Sequence, residues 1–92
     1  MTSVPATMTC VEISMPGAPE VLKPATRPTP RPAAGEVLVK LEAAGVNRPD
    51  VLQRYGKYPA PPGASDLPGL EIAGTVAALG EGVTQFKLGD AV

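Results

Sequence analysis

Few side chains in this sequence can carry out catalysis or bind a metal ion. The chain has no histidine and a single cysteine, Cys10, so neither a Ser/His/Asp nor a Cys/His arrangement for acyl transfer can form. The same shortage disfavours a zinc site. Asp50, Asp66 and Glu71 carry oxygens suited to harder metal ions, but their spacing does not resemble a calcium-binding loop. We expect these carboxylates to serve as caps, turn residues or strand-edge groups.

One glycine pair superficially suggests a phosphate-binding fingerprint, namely Gly80-Glu81-Gly82. The position of the third glycine is occupied by Gln85, and no helix is predicted to follow. The segment therefore predicts a hairpin turn, and no βαβ unit for binding a dinucleotide is predicted in these residues.

Composition disfavours several classes of partner. The formal net charge is −1 and no stretch concentrates Lys or Arg, so we expect no nucleic-acid binding. No segment approaches the ~20 apolar residues of a membrane span, and the N-terminus does not resemble a signal peptide, so we expect no membrane association. The lone cysteine cannot form an intramolecular disulfide, which favours a reducing, cytoplasmic location.

The elements that must position the polar side chains are predicted from periodicity. Apolar and polar residues alternate in a first strand, which comprises Val11, Glu12, Ile13, Ser14 and Met15. After a turn rich in proline and glycine, residues 20–23 are predicted to pair back as a second short strand of a β-hairpin. The segment 24–35 contains four prolines and is predicted to be an extended surface connection.

Two further strands are predicted later in the chain. Within residues 36–42, apolar side chains occupy one face and charged ones the other, as in a sheet with one solvated side. Residues 70–79 predict a strand in which Gly74 marks a bulge or a close backbone approach. The residues at 91–92 look like the opening of another strand.

A single helix is predicted between these strands. Pro49 suits the first helical turn, Asp50 favours that turn electrostatically, and Gly56 can end the helix, with Asn47 or Arg48 as its cap. Prolines exclude regular structure from the loop that follows, at residues 58–63. Short strands, Gly/Pro-rich turns and one short helix together predict an all-β fold, a partly closed barrel.

The last part of the sequence resembles the medium-chain dehydrogenase/reductase superfamily. The resemblance rests on a glycine-rich signature and the strand entry after it: Gly69-Leu70-Glu71, Gly74, Gly80, Val83 and Phe86-Lys87-Leu88-Gly89-Asp90-Ala91-Val92. A second landmark is similar: Gly35-Glu36-Val37-Leu38-Val39-Lys40 and Ala44-Gly45-Val46-Asn47. Zinc alcohol dehydrogenases of this superfamily carry a His ligand at the position of Leu70 and a Cys ligand at that of Asn47. The resemblance thus implies that the catalytic zinc is lost, and with it carbonyl polarisation by a Lewis acid.

Other segments are similar to the zinc-free NAD(P)H:quinone oxidoreductases of that superfamily. They are Pro16-Gly17-Ala18-Pro19-Glu20-Val21-Leu22, Asn47-Arg48-Pro49-Asp50, Gln53-Arg54-Tyr55-Gly56-Lys57-Tyr58 and Pro61-Pro62-Gly63-Ala64-Ser65. This resemblance implies a mainly β, GroES-like, partly open barrel with one short helix, and residues 1–92 would be the N-terminal part of a catalytic domain. The chain would then be a fragment of a two-domain enzyme.

The same resemblance implies the chemistry of the parent enzyme. Its substrate would be a quinone, its cofactor NADPH bound mainly by a Rossmann domain absent from this chain, and its assembly a homo-oligomer. The isolated chain is expected to be inactive because nothing in it binds the dinucleotide and its last strand is incomplete.

Asn47 and Tyr58 are the site residues we infer from this resemblance. Asn47 is predicted to contact the cofactor or a substrate oxygen through its amide, and Tyr58 to stack on the quinone and donate its hydroxyl to the oxygen that gains charge. Each has a competing structural role. Asn47 suits a helix cap, and Tyr58 suits packing against the proline loop.

Two other functions compete with quinone reduction. An enoyl or alkenal reductase of the same superfamily would use the same hydride transfer on a conjugated C=C bond. A non-catalytic binding module similar to the small co-chaperonins is the second alternative, although no mobile hydrophobic loop stands out in the sequence.

Overall fold

The computed structural model describes residues 4–92 and is mainly β-sheet with one short α-helix, as predicted. The elements are β1 (Thr7–Ile13), β2 (Leu22–Pro28), β3 (Val37–Ala44), α1 (Arg48–Arg54) and β4 (Ile72–Leu79). The strands form two two-stranded sheets, β1 with β2 and β3 with β4, and the pair of β3 and β4 is antiparallel. Within residues 4–92, no helix is both long and apolar enough to span a bilayer.

The chain divides into two compact units. One contains residues 4–8, 28–44 and 72–92 of the described chain, and therefore the sheet of β3 and β4. The other contains residues 9–27 and 45–71, and therefore α1 and most of β1 and β2.

In the first unit, β4 is hydrogen-bonded on both edges. It pairs antiparallel with β3 from Val37↔Leu79 to Ala44↔Ile72. On its other edge, Ala91 forms a bridge to Thr75, which confirms the predicted strand opening at residues 91–92. Val76 on β4 is only 3% exposed and is the one buried large apolar side chain in the described residues. The core of this unit is therefore centred on β4.

Gly74 lies where β4 closely approaches the backbone of β3. It pairs with Leu41 beside a register shift between Leu41 and Ala43, so the predicted irregularity is confirmed. A Cβ atom at position 74 would overlap the backbone carbonyl oxygen of Lys40. Because that oxygen belongs to the sheet backbone, it cannot move away as a flexible side chain would.

In the second unit, the predicted second strand at residues 20–23 is wrong in its position. Pro19–Val21 form a 3₁₀ turn, and β2 then runs on to Pro28 through the proline-rich segment that was predicted to be an extended connection. Proline lacks a backbone N–H, but a two-stranded sheet leaves one edge of each strand unpaired, and prolines are tolerated on such edges. The hairpin itself is confirmed, since Ser14 N–H and Oγ both donate to the carbonyl of Val21, at 2.9 and 2.8 Å.

The helix α1 begins and ends close to the predicted residues. Asn47 is its N-cap and Pro49 lies in its first turn. At the other end, Gly56 has a φ of +81°, a conformation that glycine adopts without strain. Gly56 N–H donates to the carbonyl of Gln53 at 2.9 Å and Lys57 N–H to that of Leu52 at 2.8 Å. These two bonds form a Schellman motif, which satisfies the last carbonyls of the helix.

Replacing Gly74 by alanine should weaken the sheet strongly. The added methyl group meets sheet backbone, so we expect Gly74→Ala to lower the free energy of unfolding by about 3 kcal/mol. Gly82→Ala is the matched control, because a Cβ there has no neighbour within 4 Å and only its φ of +81° is unfavourable, for a loss of about 1 kcal/mol. Urea denaturation compares the two, and equal losses would contradict the close-approach argument.

Candidate functional site

Asn47 starts the helix through backbone hydrogen bonds and is half-buried. Its backbone N–H donates to Oδ2 of Asp50 at 2.9 Å, and its carbonyl accepts the N–H of Asp50 at 3.0 Å. A carboxylate three residues after the N-cap that reaches back to the cap N–H is one half of a capping box. Asn47 thus occupies the N-cap position that was predicted for it or for Arg48, and its side-chain nitrogen is used elsewhere.

That side-chain nitrogen joins two segments that are distant in sequence. Asn47 Nδ2 donates to Oε1 of Glu71 at 2.9 Å. Beside it, the backbone N–H of Gly45 donates to the Glu71 carbonyl at 3.1 Å. The structure therefore brings together the two landmark segments, residues 45–47 and 69–71. Glu71 acts here as a hydrogen-bond acceptor, in agreement with its predicted structural role.

Asp50 holds the second segment as well. Its Oδ1 accepts the backbone N–H of Gly69 at 3.1 Å, while Oδ2 accepts that of Asn47 at 2.9 Å. One carboxylate thus connects the start of α1 to the chain that leads into Glu71. We refer to Gly45, Asn47, Asp50, Gly69 and Glu71 as the landmark junction.

Gly45 is the residue of this junction that sequence reasoning did not single out as structural. A Cβ at position 45 would lie 2.6 Å from Cδ and 2.8 Å from Oε1 of Glu71. The absence of a side chain therefore lets the Glu71 carboxylate lie directly against the backbone. The only feature of the sequence that could have identified Gly45 is its position two residues before a predicted helix cap.

Leu70 stands in the middle of the second segment, with 64% of its surface exposed. Zinc in proteins is bound by thiolate, imidazole and carboxylate groups, and leucine has no lone pair to offer. In residues 4–92 no three His, Cys, Asp or Glu side chains lie close enough together to hold a metal ion. The donors present at the junction, one amide and two carboxylates already engaged with N–H groups, do not fit a catalytic zinc.

Tyr58 lies beyond the opposite end of α1, and 42% of its surface is exposed. The seven residues of α1 rise by about 10 Å along the helix axis. No hydrogen bond joins Tyr58 to Asn47 in the described part of the chain. The structure therefore does not bring the two predicted site residues together directly, and their roles remain predictions.

Arg27, which was not among the predicted site residues, joins β1, β2 and the segment that follows Tyr58. Its Nε donates to Oε2 of Glu12 at 2.6 Å, and Nη1 and Nη2 donate to the two carboxylate oxygens of Asp66 at 2.8 and 3.0 Å. These hydrogen bonds raise the pKa of Arg27 further above its already high value, with Asp66 contributing more than Glu12. In turn, the Arg27 guanidinium lowers the pKa of the Asp66 carboxyl.

Comparison with known proteins identifies relatives across nearly the whole chain. Residues 33–92 match the alcohol dehydrogenase GroES-like domain family. A quinone oxidoreductase from Lama guanicoe is 42% identical over 86 residues, which cover 92% of this chain and 26% of that protein. The chain therefore spans about a quarter of the length of this curated relative.

Solved structures with the same fold include one with bound cobalt and zinc and one with bound NADPH. A cobalt- and zinc-bound thermostable alcohol dehydrogenase from Pyrobaculum aerophilum has a TM-score of 0.80 and 41% identity, over 92% of this chain and 25% of its own. A mycobacterial protein in complex with NADPH has a TM-score of 0.75 and 38% identity, over 91% of this chain and 26% of its own.

Removing the Asp50 carboxylate should destabilise the landmark junction. Asp50→Ala leaves the N–H groups of Asn47 and Gly69 without their acceptor, and we expect the free energy of unfolding to fall by about 2 kcal/mol. The control is Glu42→Ala, which removes an exposed carboxylate of β3 that forms no side-chain hydrogen bond within residues 4–92 and should change stability by less than about 0.5 kcal/mol. Thermal unfolding followed by circular dichroism measures both variants, and a similar loss in each would refute the bridging role.

The pair of Arg27 and Asp66 should make stability sensitive to acid. Because folding lowers the pKa of Asp66, the pair stabilises the fold above the ordinary aspartate pKa, and this stabilisation is lost as the pH falls through the lowered value. The stability difference between the natural chain and Asp66→Asn should therefore be full at neutral pH and shrink in strong acid. Urea denaturation across the acid range tests this. A difference that does not depend on pH would show that Asp66 does not act through its charge.

Proposed function

The chain belongs to the alcohol dehydrogenase GroES-like domain family, and from this premise we propose that it is the N-terminal part of the catalytic domain of a zinc-independent NAD(P)H-dependent quinone oxidoreductase. The observation that carries the proposal is the landmark junction, in which Asn47 is hydrogen-bonded to Glu71 next to the exposed Leu70. These are the positions at which zinc enzymes of the superfamily carry two of their ligands.

The donors at the junction support independence from zinc. A catalytic zinc site uses three protein ligands and leaves one position open. Leu70 can supply no electron pair, and the only ligand atom Asn47 offers is an amide oxygen, a harder donor than the thiolate and imidazole groups that zinc prefers. The chain is 41% identical to a cobalt- and zinc-bound alcohol dehydrogenase, and the two replaced positions support the proposal that its parent does not use that metal.

Asn47 has the hydrogen-bonding capacity that the proposal needs. A side-chain amide nitrogen carries two hydrogens, and Glu71 accepts one of them. The other hydrogen can be donated to the ribose next to the nicotinamide or to a substrate oxygen. The bond to Glu71 fixes the orientation of the amide before any ligand binds, and such preorganisation is what makes a donor effective in catalysis.

Tyr58 is proposed to act on the substrate side. Its exposed ring offers a flat apolar surface for a planar quinone, and its hydroxyl can donate to the quinone oxygen on which negative charge develops. When bound, the reduced nicotinamide supplies a hydride. The dinucleotide is proposed to be held mainly by a Rossmann domain elsewhere in the parent enzyme, in line with the NADPH-bound mycobacterial structure.

The test is a substrate comparison with the full-length protein that contains this chain. After exhaustive chelation, the enzyme should oxidise NADPH with 1,4-naphthoquinone-type acceptors and should show no gain on addition of zinc. The 92-residue chain alone should show no such activity. If the enzyme reduces an α,β-unsaturated carbonyl and does not reduce quinones, the assigned activity becomes alkenal reduction. Activity only with zinc would defeat the proposal.

A second prediction separates the catalytic role of Asn47 from its capping role. Serine caps helices about as well as asparagine, so Asn47→Ser should cost only the hydrogen bond to Glu71, about 1 kcal/mol of the free energy of unfolding. Its hydroxyl is shorter than the amide and cannot both reach Glu71 and donate to a ligand, so kcat/KM for the quinone should fall by about a hundredfold. Steady-state kinetics and thermal unfolding of the full-length variant give the two readouts. If activity and stability are both retained, Asn47 is a cap only.

A further inference from the structure

The segment that carries Tyr58 leaves the end of α1 and returns to it. We call residues 57–66 the Tyr58 loop. At its start, Lys57 N–H donates to the Leu52 carbonyl at 2.8 Å, and at its end the Gln53 side chain donates to the Asp66 carbonyl at 2.9 Å. Both ends are thus held by the last turn of one helix. Compact surface loops of this length with adjacent ends are frequently functional.

The interior of the Tyr58 loop is stiff but weakly attached. Prolines at positions 59, 61 and 62 fix their own φ angles and restrict the residues before them. The Ala64 N–H donates to the Pro61 carbonyl at 3.0 Å, so the one backbone hydrogen bond of residues 58–65 lies within the loop. Across these described residues, no hydrogen bond or ion pair joins the loop interior to a strand, so the contacts at its ends are the polar contacts that orient it.

Arg27 is the group that ties the far end to a sheet. Two guanidinium nitrogens hold both oxygens of Asp66, at 2.8 and 3.0 Å, and the third nitrogen is fixed on Glu12 of β1 at 2.6 Å. A planar guanidinium that binds a carboxylate with two parallel bonds sets the direction of the carboxylate as well as its distance. A single exposed ion pair contributes little to stability. The main effect of this contact is therefore to set the orientation of Asp66.

We propose that Arg27 is a positioning residue that orients the Tyr58 loop, and hence the Tyr58 ring, for a planar acceptor through its two-bond contact with Asp66. This inference rests on the proposed function, because it assigns Arg27 a role through Tyr58. It names a residue remote from the landmark junction as a determinant of how the oxidised substrate binds.

The experiment uses the full-length enzyme with Arg27→Gln, Arg27→Lys and the control Arg31→Gln. Arg31 is an exposed arginine of the same proline-rich stretch and takes part in no ion pair within residues 4–92. Trypsin cleavage after Lys57 reports loop mobility, and the bond after residue 27 is not a competing site because Pro28 follows it. Kinetics are measured separately for the acceptor and for NADPH.

We expect Arg27→Gln to accelerate cleavage after Lys57 and to lower kcat/KM for the acceptor by about tenfold, with the KM for NADPH unchanged. Lysine keeps the charge but not the two-bond geometry, so Arg27→Lys should lower kcat/KM for the acceptor about as much as Arg27→Gln does. In a Tyr58→Ala background, Arg27→Gln should cause no further loss, because the effect passes through Tyr58. Arg31→Gln should behave like the natural enzyme.

Two results would overturn the inference: unchanged kcat/KM despite a loosened loop, or full rescue of kcat/KM by lysine. A failure of the proposed function looks different. In that case the natural enzyme itself ignores quinones, and the same comparison is made with the alkenal that it reduces, on the same criteria.

Discussion

The carboxylate of Asp50 is the contact on which the candidate site depends. Each of its oxygens accepts a backbone N–H, one at the start of α1 and one from Gly69. Backbone donors cannot be reoriented by a change of rotamer, so this carboxylate fixes the two segments in one relative position. The Asn47 amide and the Glu71 carboxylate then meet at 2.9 Å. Gly45 completes the arrangement, because any side chain there would occupy the space of the Glu71 carboxylate.

Hydrogen bonds and metal coordination solve the same structural problem in different ways. A zinc ion holds its ligands by strong directional bonds and also polarises the substrate. At the landmark junction, the segments are held by several individually modest hydrogen bonds, and under the proposed function donors aimed at the substrate would take over the polarising role of the zinc. This division explains why an asparagine suits the position, since it can hold Glu71 with one hydrogen and retain another for a ligand.

Local signals made much of the fold predictable. Pro49, Asp50 and Gly56 mark the helix ends because their effects act within one helical turn, and Gly74 was identified because a strand interior rarely omits a side chain without a reason. The start and length of β2 were predicted wrongly, since the rule against proline in sheets applies to strands paired on both edges. The contact of Arg27 with Asp66 spans 39 positions and that of Asn47 with Glu71 spans 24. Neither leaves a periodic trace in the sequence, so neither was predictable from pattern alone.

The order of the strands places residues 45–71 inside a single antiparallel hairpin, between β3 and β4. Everything proposed to touch cofactor or substrate in this chain lies in that insertion, while the ladder is formed by the strands on either side. The entropy of closing a connection rises only slowly with its length. Insertions and deletions between the fixed ends of this connection should therefore change the stability of the β3–β4 pairing only slightly. Residues that contact the substrate could then vary while the register of the two strands stays the same.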